Sequence, residues 1–174
     1  MRPTLYLTNL SSRKHHGPGR KVCAMANPRH FERGDGSCSA LAPARADLAA
    51  IRECSIDLGT YRVRFEARLK ESRLEPHALR FDFGDEEILD DGSSPGAHLR
   101  DGDTVFCACA RPGSKARHNR PCHLEIAVPF LVPAGWDVLL DGRRVTWDGE
   151  RVIWADGMDD LYRPEDFGWP EVAP

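Results

Sequence analysis

The residues best suited to chemistry lie together in one stretch. Asp103-Thr104-Val105-Phe106-Cys107-Ala108-Cys109 is followed by a run carrying Arg111, Lys115, Arg117 and Arg120 with no acid, then by Pro121-Cys122-His123-Leu124-Glu125. The first part reads as a strand over 103–109, and i, i+2 spacing puts Cys107 and Cys109 on one face of it. Cys122 and His123 fall in the first turn of the next helix, where exposed N–H groups and the helix dipole favour a thiolate or a bound anion. Three readings stay open. Cys107, Cys109, Cys122 and His123 (or His118) can supply four ligands to tetrahedral zinc. Cys122 can be a nucleophile beside a cluster of cations, with His123 as its base. Or the thiols only pack, since cysteine is among the most buried residue types.

A second constellation is cationic. The loop after the first strand carries Ser11, Arg13, Lys14, His15, His16 and Arg20. In a parallel sheet it would gather at the same edge as the loop after residue 109. Arg13, Lys14, Arg20, Arg117 and Arg120 would then form a concavity for phosphate. Arg29, His30 and Arg33 can extend its rim. Glu32 and Asp35 are the nearest carboxylates for acid–base work. Gly17-Pro18-Gly19-Arg20-Lys21 is not a P-loop, because the spacing is wrong and no Ser or Thr follows the lysine.

The elements that must position these groups read as follows. Residues 3–9 and 21–26 form short strands. Leu41-Ala42-Pro43 leads a helix over 44–54. Tyr61, Phe65 and Leu69 at i, i+4, i+8 mark a helix over 60–72. Leu79, Phe81 and Phe83 alternate ahead of an acidic insert at about 82–101. A helix over 122–132 is limited or kinked by Pro129. Strands follow over 136–140, 144–147 and 151–154, with Asp141-Gly142 and Asp148-Gly149 as hairpin turns. Trp147 and Trp154 are expected to pair across the second hairpin. The expected fold is a Rossmann-like three-layer α/β domain with a mostly parallel sheet and a C-terminal β-meander. It occupies residues 1–155, and an acidic, Pro-containing tail spans 156–174.

The chain has 174 residues, a formal net charge of −3, 41% hydrophobic and 29% charged residues, which is the profile of an ordinary soluble domain. The charge is segregated. Residues 11–33 hold six cations against Glu32, residues 82–103 eight acids against Arg100, and residues 156–171 six acids against Arg163. No apolar run is long enough to span a membrane, and the opening residues lack a secretory pattern. A cytoplasmic location is therefore expected, with the six cysteines as thiols or metal ligands.

Several landmarks in order also resemble a known family. They are Thr8-Asn9, Gly17 to Lys21, Leu41-Ala42-Pro43, Tyr61 with Phe65, Cys107, and Cys122-His123. Together they resemble the bacterial and phage family numbered four-eight-eight among the domains of unknown function, over roughly residues 3–140. Leu124 stands where that family has Arg, so any anion-binding role of that Arg is missing here or falls to Arg117 or Arg120. The resemblance implies a compact Rossmann-like domain and no particular reaction.

Two functions follow as expectations. One is a domain holding a phosphate-bearing ligand, a nucleotide or nucleic acid, at the C-terminal edge of the sheet, with catalysis by Cys122 and His123 left open. The other is a zinc-stabilised module that binds nucleic acid through its basic loops, or a protein partner through its acidic insert and tail, without catalysis.

Overall fold

The computed structural model describes residues 1–28, 34–83, 96–109, 122–147 and 152–155. The acidic stretch 84–95, the basic run 110–121, the Asp148-Gly149 turn and the tail 156–174 lie outside the described residues, as do Arg29, His30, Glu32 and Arg33.

Among the described residues nine strands and three helices follow one another as β1 (Thr4–Asn9), β2 (Lys21–Cys23), β3 (Gly36–Ser37), α1 (Arg45–Arg52), α2 (Leu58–Glu71), β4 (Arg80–Asp82), β5 (Gly96–His98), β6 (Thr104–Cys107), α3 (His123–Ala134), β7 (Asp137–Leu140), β8 (Arg143–Trp147) and β9 (Val152–Trp154). They form one sheet in the order β5-β4-β3-β2-β6-β1-β7-β8-β9. Pairings among β3, β2, β6, β1 and β7 are parallel, and every pairing outside them is antiparallel.

The expected mostly parallel, three-layer Rossmann-like architecture is therefore wrong: half of the eight pairings are antiparallel. The reason lies in the connections. A tight turn such as Asp141-Gly142 can only return the chain antiparallel, and Asp141 (φ 49°) and Gly142 (φ 81°) take the positive φ that a type I′ turn requires. The described helices are also too few to cover two faces. Residues of α2 and α3 share one buried cluster with Leu5 and Leu7 of β1 and Val105 and Cys107 of β6, and Leu48 and Ile51 of α1 pack against it. On the other face of these strands the loop between β1 and β2 does the covering. His16 stacks on Phe106 at 6.1 Å, and the Gly17 N–H donates to Thr104 Oγ1 at 2.8 Å. A Cβ at Gly17 would strike the Gly102 carbonyl and the Tyr6 ring, so glycine lets this loop lie flat.

The Tyr61, Phe65 and Leu69 stripe is buried, as its spacing predicts. Helix α3 departs from its expectation: it runs through Pro129 and Pro133 to Ala134. It is apolar and buried nearly all round, so packing outweighs the backbone hydrogen bond each proline removes. It stops where Gly135 takes a left-handed conformation (φ 114°). The register sets Trp154 opposite Val145 and Trp147 opposite Val152, so the two tryptophans do not stand directly opposite each other. Trp154 instead lies under the Arg143 guanidinium, 4.0 Å from its ring centroid.

Helix α2 is capped by Asp57, whose carboxylate accepts the Thr60 N–H at 2.6 Å. That bond, with the Thr60 hydroxyl, lowers the Asp57 pKa below 3.8. Its stabilising effect is present above the unfolded-state value and is lost as pH falls through the folded one. Asp57→Ala should lower the Tm at neutral pH, and the gap from wild type should close when melting curves are recorded progressively below pH 3.8.

Candidate metal centre

Strand β6 ends in Cys107 and the chain continues as Ala108-Cys109, while Cys122 is the N-cap residue of α3. The Cys122 carbonyl accepts the Glu125 and Ile126 N–H groups, but its thiol makes no capping bond. That thiol points to β6 instead. Cys122 Sγ lies 3.5 Å from Cys107 Sγ, and Cys109 Sγ lies 3.2 Å from His123 Nδ1. One donor atom from each of Cys107, Cys109, Cys122 and His123 falls within 4.8 Å of the others. In a tetrahedral zinc site with Zn–S near 2.3 Å, neighbouring sulfurs stand about 3.8 Å apart. These four residues lie close enough to hold a metal ion.

The surroundings hold the donors in place. His123 Nε2 donates to the Ala24 carbonyl at 2.7 Å, which leaves Nδ1 as the lone-pair nitrogen turned to the thiols. An imidazole N–H on a backbone carbonyl is the usual support of a metal-bound histidine. Phe65 meets the same ring edge-on at 5.9 Å. Asn9 Nδ2 donates to the Cys109 carbonyl at 2.5 Å, and the Leu10 N–H donates to the Cys107 carbonyl at 2.8 Å. Strand β1 thus fixes the segment from Cys107 to Cys109, and β2 fixes the histidine. Hydrogen bonds with the Cys109 and Cys122 thiols, and then burial, push the Cys107 thiol well up from its ordinary value. A metal taking this site must displace its proton.

The nucleophile reading of Cys122 meets two obstacles in this geometry. Cys122 is 1% exposed and His123 2%, so neither reaches solvent. His123 turns Nδ1 to Cys109, 3.2 Å away. Cys109 is the thiol of the set that is only partly buried. Of the other cysteines, Cys23 and Cys38 are buried and Cys54 is exposed. Burial pushes the Cys38 thiol up to about 12.

Arg20 does not stand where the loop reading places it. Arg20 immediately precedes β2, and its side chain binds Asp103, just before β6. That is the N-terminal end of both strands, whereas Cys107 closes the C-terminal end of β6. Arg20 also lies over the Phe81 ring at 4.7 Å. Arg13 and Lys14 sit in a 3-10 turn after β1. Asp35 accepts the Lys21 N–H at 2.6 Å. Arg111, Lys115, Arg117, His118 and Arg120 lie outside the described residues.

The charges that do stand at the cluster are ones the loop reading passed over. A cavity of about 460 Å³ opens beside it, lined by Cys109 and His123 together with Arg45, Leu48 and Arg52 of α1, Tyr61 of α2 and Met25. The signal was present in the chain: Arg45, Leu48 and Arg52 recur at i, i+3, i+7, one face of a helix.

The chain is thus a mixed-sheet α/β domain with a Cys₃His cluster between β6, at the middle of the sheet, and α3. Comparison with family models, curated proteins and solved structures gives no match. Among the described residues no helix is long and apolar enough to cross a membrane.

Proposed function

We propose that this chain is a zinc-stabilised binding module, with zinc held by Cys107, Cys109, Cys122 and His123. The observation that carries this reading is the coincidence of four soft or borderline donors within 4.8 Å with an imidazole oriented from behind by the Ala24 carbonyl. Zinc fits three thiolates and one imidazole better than a hard cation does. Four protein ligands leave no open position, so the metal's role is structural rather than catalytic. It ties the end of β6 to the start of α3. The segment bracketed by Cys109 and Cys122 carries Arg111, Lys115, Arg117 and Arg120 and no acid. Clamping both of its ends presents that charge to an anionic partner, and nucleic-acid phosphate is the partner class that suits it.

The purified chain should contain one zinc per molecule by elemental analysis. Cobalt should replace it with the visible absorption of a tetrahedral, thiolate-bound ion. Cys122→Ser or Cys107→Ser should lose the metal, and Cys54→Ser should keep it. Metal-free protein from zinc-supplemented expression, or equal zinc in all three variants, refutes the assignment. Binding to a DNA oligonucleotide should weaken steeply with salt and fail after zinc removal. A salt-insensitive or absent shift removes the nucleic-acid part alone.

A further inference from the structure

We propose that the cavity beside the cluster is a binding site for a small organic anion with an apolar body, its acidic head held by Arg45 and Arg52. This goes beyond the zinc reading, because the arginines and most of the walls lie outside the metal set.

The cavity volume of about 460 Å³ falls within the range of small-molecule sites. It also lies where open α/β sheets place ligands. Met25, Ala26 and Asn27 follow the end of β2, and Ala108 and Cys109 follow the end of β6. The two strands are parallel neighbours, so the cavity occupies the crevice beyond their carboxyl ends. Its walls are of two kinds. Met25, Pro43, Leu48 and Tyr61 offer apolar surface, and Arg45 and Arg52 bring positive charge.

The arginines are anchored so that part of each guanidinium is left for a ligand. Arg45 donates Nε to the Ala26 carbonyl at 2.9 Å, and Arg52 donates Nε to the Leu48 carbonyl at 3.3 Å. Each guanidinium is steadied through one nitrogen and keeps its two terminal nitrogens for an acceptor. Among the described residues neither is ion-paired, although α1 also carries Asp47, which is taken by Arg64 at 3.0 Å. Helix α1 is otherwise thinly packed: Asp47 is its one fully buried residue, and Leu48 is only partly covered. An apolar ligand body would complete that packing.

Phenyl phosphate and benzoate, with benzyl alcohol as the uncharged control, are suitable probes for titration against ¹⁵N-labelled, zinc-loaded protein. Amide shifts should concentrate at Asn27, Arg45, Arg52 and Ala108 for at least one anion, and benzyl alcohol should bind at least tenfold more weakly. The phosphate and carboxylate arms identify the preferred head group. Arg45→Gln with Arg52→Gln should weaken the anion at least tenfold while zinc content and the overall spectrum stay unchanged. No localised shifts with either anion at 10 mM (roughly ten-thousandfold above a micromolar Kd), or equal binding to the double variant, overturns the proposal. A chain that lacks zinc yet binds the anion through these arginines would refute the metal reading and leave this one standing.

Discussion

Stripping zinc from the folded chain should lower its melting midpoint by about 8–16 °C. A ligand that binds only the native state, at a thousandfold excess over its Kd, stabilises that state by about 4 kcal/mol, and each kcal/mol shifts a domain of this size by about 2–4 °C. The position of the site determines which part of the molecule suffers. Cys107 closes β6, which lies between β1 and β2 at the middle of the sheet. Cys122 opens α3, whose Leu124, Ile126, Ala127, Val128 and Leu131 are all buried in the core. Losing the metal frees the join between these two elements and leaves three thiols side by side, two of them buried. Cys122→Ser should melt at the chelated protein's midpoint and show no further response to chelator. Calorimetry with and without EDTA, on wild type and Cys122→Ser, makes the comparison. A wild-type midpoint that chelator does not move, in protein shown to have lost its zinc, removes the structural role.

The site was more legible in the sequence than the fold around it. Its four residues are separated only by a short strand end and one loop, so i, i+2 spacing and a helix start were enough to bring them forward. What spacing cannot give is the far partner. The Ala24 carbonyl that orients His123 lies 99 residues away, and Asn9 reaches Cys109 over 100 residues. Nothing in the spacing of Arg45 and Arg52 on α1 points to a pocket by itself. Only the cavity at the ends of β2 and β6 makes them neighbours of the cluster. Arg20 failed in the opposite sense. Loop composition says how much charge a segment carries, but not whether a buried carboxylate elsewhere will capture it. The sheet was misjudged for a related reason. Alternating strands and helices do specify its parallel centre, yet the short strands at its edges are joined by turns and loops, and hairpin geometry sets their direction.

Asp103→Ala should destabilise the chain by about 3–5 kcal/mol, several times the cost of Arg20→Ala, although the two residues form one ion pair. The asymmetry follows from what each change strands. Asp103 is 2% exposed and accepts from three groups on two residues. Oδ1 takes the Arg20 N–H at 2.9 Å. Oδ2 takes the Arg100 N–H at 2.8 Å and the Arg20 guanidinium at 2.6 Å. Removing the carboxylate leaves two backbone donors without acceptors and the Arg20 cation with only the His98 carbonyl, and a buried polar group left unmade costs about 1–3 kcal/mol. Removing the guanidinium strands less. Its side chain keeps 27% exposure, and the carboxylate retains both backbone N–H groups. What goes is a partly solvated ion pair, worth about 1 kcal/mol, and the stacking on Phe81. Asp103→Asn should fall between the two, because an amide oxygen can still accept one of the N–H groups. Urea unfolding of the three variants, compared at constant m, gives the ranking. Equal losses for Asp103→Ala and Arg20→Ala would mean that the ion pair itself, rather than the backbone donors gathered on the carboxylate, holds the starts of β2 and β6 together.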